Sequence, residues 1–226
     1  AATRRAPGHH PRGAAHRRRA AAGARGPHQA GLILDERYHK PERGFAGGYY
    51  IETSGSEPLR IASGLPGWGE QVTAHMDQYE NMAGVFITGE DPPQGKNRIT
   101  LHPTEKDENG LPVPVLEYAM HPNSLKMQAN ANQKSTEIYE SLGGKVISKV
   151  EGVGFGCHNL GVARMSNNSN KGVTNRWGQS HDIRNLFVSD GSVFTSSGAA
   201  NPTLTIVALA IRQADYIAEK MSQLEL

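Results

Sequence analysis

A proline at the head of a long apolar-periodic segment constrains a chain strongly, and this sequence has one in Asn201-Pro202-Thr203-Leu204-Thr205-Ile206. Inside a helix proline removes a donor and clashes with the preceding turn, so Pro202 is expected at the first helical position. Asn201 is placed to act as its N-cap, because a short amide accepts from the first free N–H groups. Beyond it Leu204, Val207, Ala208, Ile211, Ala214 and Ala218 recur at helical spacing and predict one apolar face on a long, buried helix. Upstream, Leu186 to Ser189 reads as a short strand and Asp190-Gly191 as a turn at its carboxyl end. A strand, a glycine turn and a helix N-terminus make a site for something negative or electron-rich, since the first helical N–H groups lack internal partners.

Length and charge bound the rest. With 226 residues the chain holds one sizeable domain or one and a half small ones. The formal charge is +2, yet residues 1–34 carry seven Arg and no acid. The remainder has 17 basic against 22 acidic residues, a net charge of −5. The globular part is therefore acidic, and the overall balance makes no case for a nucleic-acid partner. Residues 1–30 have almost nothing apolar to bury and are expected to form a disordered tail. Three readings of that tail stay open. It is an Arg-rich arm for RNA or a membrane surface, centred on Arg17, Arg18 and Arg19. It is a transit peptide, although it lacks Ser and an amphipathic period. Or it is GC-rich sequence translated out of frame and joined to a real domain.

No 18-residue apolar run occurs, so no transmembrane segment is expected, and a soluble protein of the cytoplasm or periplasm fits equally. The single cysteine, Cys157, cannot close an internal disulfide. On an extended chain it points away from His158, which disfavours a Cys–His nucleophile. A Gly-x-Ser-x-Gly elbow, a His-Glu-x-x-His zinc motif and an RNA-recognition pattern are all missing, so no metal and no nucleic acid is expected.

The middle of the chain reads as α+β. Gly47 to Thr53 and Ala83 to Thr88 are strand candidates. Asn97 to Leu101 alternates as a strand, Glu105 to Gly110 is a polar loop, and Val113 to Tyr118 is the partner strand of a long hairpin. Asn123 or Ser124 can cap a helix running to about Leu142 and stopped by Gly143-Gly144. Val146 to Val150 is expected to return as a strand. The Asp91-Pro92-Pro93 and Gly64-to-Trp68 loops are either plain connections or the lining of a substrate cavity.

The motifs His158-Asn159-Leu160-Gly161 with Arg164-Met165, then Asn185 to Ser192, then Asn201 to Ile206 with Ala208-Leu209-Ala210-Ile211-Arg212, together resemble a known pattern. It is that of the C-terminal part of glucose–methanol–choline (GMC) flavoprotein oxidoreductases. The resemblance is dense from His158 to Ile217, looser from Gly84 to Glu151, and absent before Ala30. It implies an α+β / α/β architecture in which residues 31–154 belong to a substrate-binding domain, a sheet with helices on one side. Residues 155–226 then supply the last strand and helix of the FAD-binding domain.

It further implies FAD-dependent oxidation of a CH–OH group in an alcohol, polyol, sugar or sugar acid. His158 takes the family's proton-acceptor position, for which a neutral imidazole is suited, and hydride passes to the flavin. Asn201 takes the second catalytic position and holds the substrate oxygen by hydrogen bonds. Asp190 and Gly191 match positions along the ribityl and diphosphate part of FAD. The helix start at Pro202, Thr203 and Leu204 would favour the negative charge that reduction places near the flavin's N1 and C2 carbonyl. The chain departs from the pattern at Val162 and Ser166, where the family often has Thr and Gly.

A Gly-x-Gly-x-x-Gly turn for the ADP diphosphate does not occur; Gly152 to Cys157 comes nearest. The chain is therefore expected to be the C-terminal portion of a longer enzyme, unable to retain FAD alone and exposing the apolar stripe from Leu204 to Ala218. The alternative is an inactive fragment or a partner-dependent, non-enzymatic domain. The electron acceptor is left open among oxygen, a quinone and a cytochrome.

Overall fold

The computed structural model describes residues 31–54, 58–152, 156 and 158–226. The Arg-rich tail, Cys157 and most of the Gly152-to-Cys157 stretch lie outside the described residues. The chain forms two units. One draws on the chain up to Asp35, Tyr50–Ile87 and Ala131–Lys149; the other on Glu36–Tyr49, Thr88–Asn130 and Val150–Leu226.

In the first unit, β1 (Leu32–Ile33) runs antiparallel to β2 (Tyr49–Ser54), with Leu32 opposite Glu52 and Ile33 opposite Ile51. The other neighbour of β2 is β3 (Gly84–Gly89), giving a three-stranded sheet in the order β1-β2-β3. The strands expected at Gly47 to Thr53 and Ala83 to Thr88 are thus present, displaced by a residue or two. Between β2 and β3 lie two short helices, α1 (Pro58–Gly64) and α2 (Glu70–Met76), and the connecting Trp68 is 92% exposed.

A long helix, α3 (Pro122–Ser141), contributes to both units. It stops where expected: Gly143 adopts φ +77° and the Gly144 N–H donates back to the Tyr139 carbonyl. Its start is different. Neither Asn123 nor Ser124 caps it; the His121 Nδ1 accepts from the Asn123 N–H at 3.0 Å. The Asn123 amide instead exchanges two hydrogen bonds with the Ala46 backbone, and the Ser124 hydroxyl donates to Asp91. Both side chains are drawn to tertiary partners that the sequence does not reveal. Val146 to Val150 also departs from expectation and is irregular, with no strand pairing to it among the described residues.

In the second unit the loop Glu36–Tyr49 winds around Arg43. Its nearly buried guanidinium donates to the Glu36 carboxylate at 2.7 Å and to the carbonyls of Glu36, Tyr38 and Gly47. Nearby, the first half of α3 buries Met127 against Tyr49 and Gly89. A Cβ at Gly89 would stand 2.5 Å from the Met127 sulfur, so only glycine admits that side chain undisturbed. The Tyr49 hydroxyl donates to Asn130 at 2.8 Å.

The expected hairpin is formed by β4 (Arg98–Lys106) and β5 (Pro112–Glu117), with Ile99 opposite Leu116 and an irregularity between Leu101 and Lys106. Its turn is closed by the Asp107 carboxylate, which accepts from the N–H groups of Asn109 and Leu111. From His158 to Asn201 the chain is irregular apart from a 3-10 turn, Gly191–Val193, and isolated bridges, one of them joining Gln179 and Phe187. The strand expected at Leu186 to Ser189 is reduced to that bridge, because no neighbour extends the pairing among the described residues. The last element is α4 (Thr203–Ser222). Among the described residues no helix is long and apolar enough to cross a membrane.

Candidate active site

The Asp190-Gly191 turn builds the centre of the site. Asp190 is the N-cap of a 3-10 turn, Gly191–Val193, and its Oδ1 accepts from the Ser192 N–H at 2.8 Å and the Ser192 hydroxyl at 2.5 Å. Those two donors, the hydroxyl first, hold the exposed Asp190 carboxyl below the usual carboxylate range. Oδ2 takes no part in either bond.

The segment that follows His158 is laid along this turn by three backbone hydrogen bonds: Gly161 to Gly191, Ala163 to Ser192 and Met165 to Val193. Gly191 is buried, and the closest approach at it comes from the chain itself. A Cβ there would lie 2.6 Å from Leu160 Cδ2 and 3.3 Å from both the Asn159 carbonyl and Ile206 Cδ1. One glycine therefore joins the residues after His158, the Asp190 turn and the first turn of α4. His158 itself is half-buried, two residues before Leu160. Val162, one of the departures from the family pattern, has φ +76° directly after Gly161 at φ +86°. For a β-branched residue this left-handed conformation costs about 1–2 kcal/mol, and such strain concentrates at functional sites.

The start of α4 corrects the expected cap by one residue. Pro202, at φ −87° and ψ −12°, occupies the N-cap position without a side-chain cap, and Thr203 is the first helical residue. The Pro202 carbonyl accepts from the Ile206 N–H at 3.0 Å. Proline reaches helical dihedrals without needing a donor of its own, so the ladder begins on its carbonyl and exposed Asn201 stands just outside. The N–H groups of Thr203, Leu204 and Thr205 precede the first helical donor, and Leu204 is 83% exposed. This open row of donors suits an electron-rich ring edge. Asp190 Oδ2 suits a hydroxyl-bearing chain, so the donors and acceptors on this side fit the flavin and ribityl parts of FAD.

The apolar stripe of α4 is exposed, as expected of this chain by itself, and the helix buries a different face. Leu204, Val207, Ala208, Ile211, Ala214 and Ala218 are all exposed, as the expected stripe of an incomplete enzyme would be. The inward face carries Ile206, Leu209, Ala210 and Gln213, which share a shallow cleft with Met165, Gly178 and Val188. The buried Gln213 amide donates to the carbonyls of Trp177 and Val188, each at 2.9 Å. Tyr216 stacks on Trp177 with ring centroids 4.8 Å apart and planes within 4°. Sequence periodicity missed this face because its anchor is a glutamine.

Asp91 was also missed as a side chain; the only signal was its place before Pro92-Pro93. Its Oδ1 accepts from the Ser124 hydroxyl at 2.7 Å and its Oδ2 from the Tyr118 hydroxyl at 2.9 Å. Its backbone forms an antiparallel bridge with Ser197. Beside it, the side chains of Gln94 and Asn97 both donate to the Ala119 carbonyl.

The profile of the family described as GMC oxidoreductase matches residues 93–210. The chain is 34% identical over 219 residues to 2-methyl-1,2-propanediol dehydrogenase of Mycolicibacterium austroafricanum, covering 89% of this chain and 38% of that protein. It is 30% identical over 139 residues to the fructose dehydrogenase large subunit of Gluconobacter japonicus, covering 62% of this chain and 26% of that one. It is 28% identical over 210 residues to the gluconate 2-dehydrogenase flavoprotein of Pantoea cypripedii, covering 84% and 34%. The chain thus spans little more than a third of the length of these relatives at most.

Proposed function

Since this chain belongs to the glucose–methanol–choline (GMC) oxidoreductase family, we propose that it carries the catalytic face of an FAD-dependent enzyme oxidising CH–OH groups. The observation that carries the reading is the junction at Gly191, which holds the segment after His158 against the Asp190 turn and the first turn of α4. His158 accepts the hydroxyl proton of the substrate at a ring nitrogen. Asn201 holds the same hydroxyl by hydrogen bonding and fixes which C–H bond is presented. When bound, FAD supplies the acceptor for the hydride that leaves that carbon. The amides of Thr203 and Leu204, beyond Pro202, would hold the electron-rich edge of the flavin ring with the partial positive charge of the helix, an interaction of about 0.3–2 kcal/mol. Asp190 and Gly191 would hold the ribityl part of FAD, the carboxylate by accepting from hydroxyls and the glycine by fixing the turn against Leu160 and Ile206.

The diphosphate-binding turn and the sheet that covers the apolar face of α4 come, on this reading, from the part of the protein matching the rest of its relatives' length. Residues 31–154 belong to the substrate-binding domain and 155–226 to the FAD-binding domain. The substrate is a small polyol, with 2-methyl-1,2-propanediol the first to assay and sugars or sugar acids next, following the named activities of the relatives. In the full-length protein, His158→Ala lowers kcat/KM for the diol by about 10²–10⁴ while flavin absorbance is retained. Wild-type turnover by that variant refutes the assignment.

A further inference from the structure

We propose that Asp91 is a positioning residue for the segment that carries Asn201. The proposal rests on the role given to Asn201 above, and deepens it. Asp91 is where three parts of the second unit meet. Its carboxylate receives one hydroxyl from Tyr118, just after β5, and one from Ser124, in the first turn of α3. Neither hydroxyl serves a strand or helix ladder, so both are spent on holding Asp91.

The backbone of the same residue pairs with Ser197, four residues before Asn201 and six before the start of α4. The sequence suits it to this. A residue before proline is pushed into the extended region, which is the conformation an antiparallel bridge needs. Pro92 then offers no N–H, so the pairing ends after one rung. From Gly198 to Pro202 the chain has no regular structure. The Asp91–Ser197 bridge therefore ties the chain just before that stretch to the hairpin and to α3. Burial, followed by the hydrogen bond to Asp91, pushes the Tyr118 phenol up to about 12, so it stays a donor across the neutral range.

The consequence is indirect control of the substrate hydroxyl. Asn201 orients it only as well as the chain from Ser197 onward is fixed, and a misplacement of about 1 Å costs on the order of 10²-fold in rate. The test is a double-mutant cycle in the FAD-loaded full-length protein with 2-methyl-1,2-propanediol, together with hydrogen exchange of the peptide spanning Ser197 to Asn201. Asp91→Ala is expected to lower kcat/KM by about 10–100-fold and to speed exchange of that peptide. Asp91→Asn is expected to stay within about threefold of wild type, because one hydroxyl can still donate to the amide oxygen while the other turns to accept from its NH2. On an Asn201→Ala background, Asp91→Ala should cost no more than about threefold further.

An impaired Asn201→Ala variant on which Asp91→Ala still exerts its full effect refutes the positioning role alone. An Asn201→Ala variant with wild-type turnover refutes the role of Asn201 and this proposal with it. Should Asp91→Ala not fold, Tyr118→Phe combined with Ser124→Ala removes both anchors and leaves the carboxylate. Unchanged exchange and turnover in that variant overturn the proposal, and coupled loss of both supports it.

Discussion

Replacing Gly178 by alanine tests how α4 is held on its unit. Gly178 has φ +71°, and an added Cβ would lie 2.3 Å from Gln213 Nε2 and 2.6 Å from the Val188 carbonyl oxygen. The left-handed backbone alone costs a residue with a Cβ about 1–2 kcal/mol. Displacing the buried Gln213 amide forfeits two hydrogen bonds at about 1 kcal/mol each. The expected loss is therefore about 3–4 kcal/mol. Trp177 reports it directly, because its ring stacks on Tyr216 of α4 and the other tryptophan, Trp68, stands in solvent. On a Trp68→Phe background, urea unfolding followed by Trp177 emission gives the stability change. Repeating Gly178→Ala on Gln213→Ala should shrink the penalty to about 1–2 kcal/mol, since the amide bonds are already gone. A penalty under about 0.5 kcal/mol, or one equal on both backgrounds, would refute the reasoning.

Two further outcomes follow from side chains already described. Arg43→Ala leaves Glu36 with Lys40 as its remaining partner and removes a donor from three carbonyls, and should lower stability by about 1.5–3 kcal/mol in thermal unfolding. Arg43→Lys should recover less than half of that, because one ammonium cannot reach a carboxylate and three carbonyls at once. Asp190 has its folded pKa depressed by Ser192, so its contribution is present above the unfolded carboxylate value of about 3.9 and is lost as pH falls through the folded value. The urea midpoint of the wild type should therefore fall more steeply below pH about 4 than that of Ser192→Ala, and parallel curves would contradict this.

The elements legible in the sequence were those whose signal is local. The hairpin β4–β5 follows from alternation around a polar turn, and α3 from a periodic run stopped at Gly143. The beginning of α4 follows from Pro202, to within one residue. What failed depended on partners. Val146 to Val150 and Leu186 to Ser189 have strand composition, but a strand exists only beside another, and composition does not supply the neighbour. The apolar periodicity of α4 identified a real stripe and the wrong buried face, because within this chain the helix is held by a glutamine and a tyrosine. Of the site, the motif residues Asp190 and Gly191 were legible as a turn. That Gly191 is packed against Leu160 and Ile206, and that Asp91 reaches Ser197, required the fold.

The way α4 is seated also limits how its sequence can vary in length. Pro202 determines where the helix begins, and Gln213 determines which way it must be turned when it arrives at the Trp177 and Val188 carbonyls. Each residue added or removed between them swings Gln213 by about 100° around the axis. The carbonyls would then face Arg212 or Ala214, which cannot offer the same pair of short donors in that space. Exchanges at Leu204, Val207 or Ile211 leave this alignment untouched. The span from Pro202 to Gln213 thus behaves as a ruler, tolerant in its letters and fixed in its count, while the residues past Tyr216 are free of that restriction.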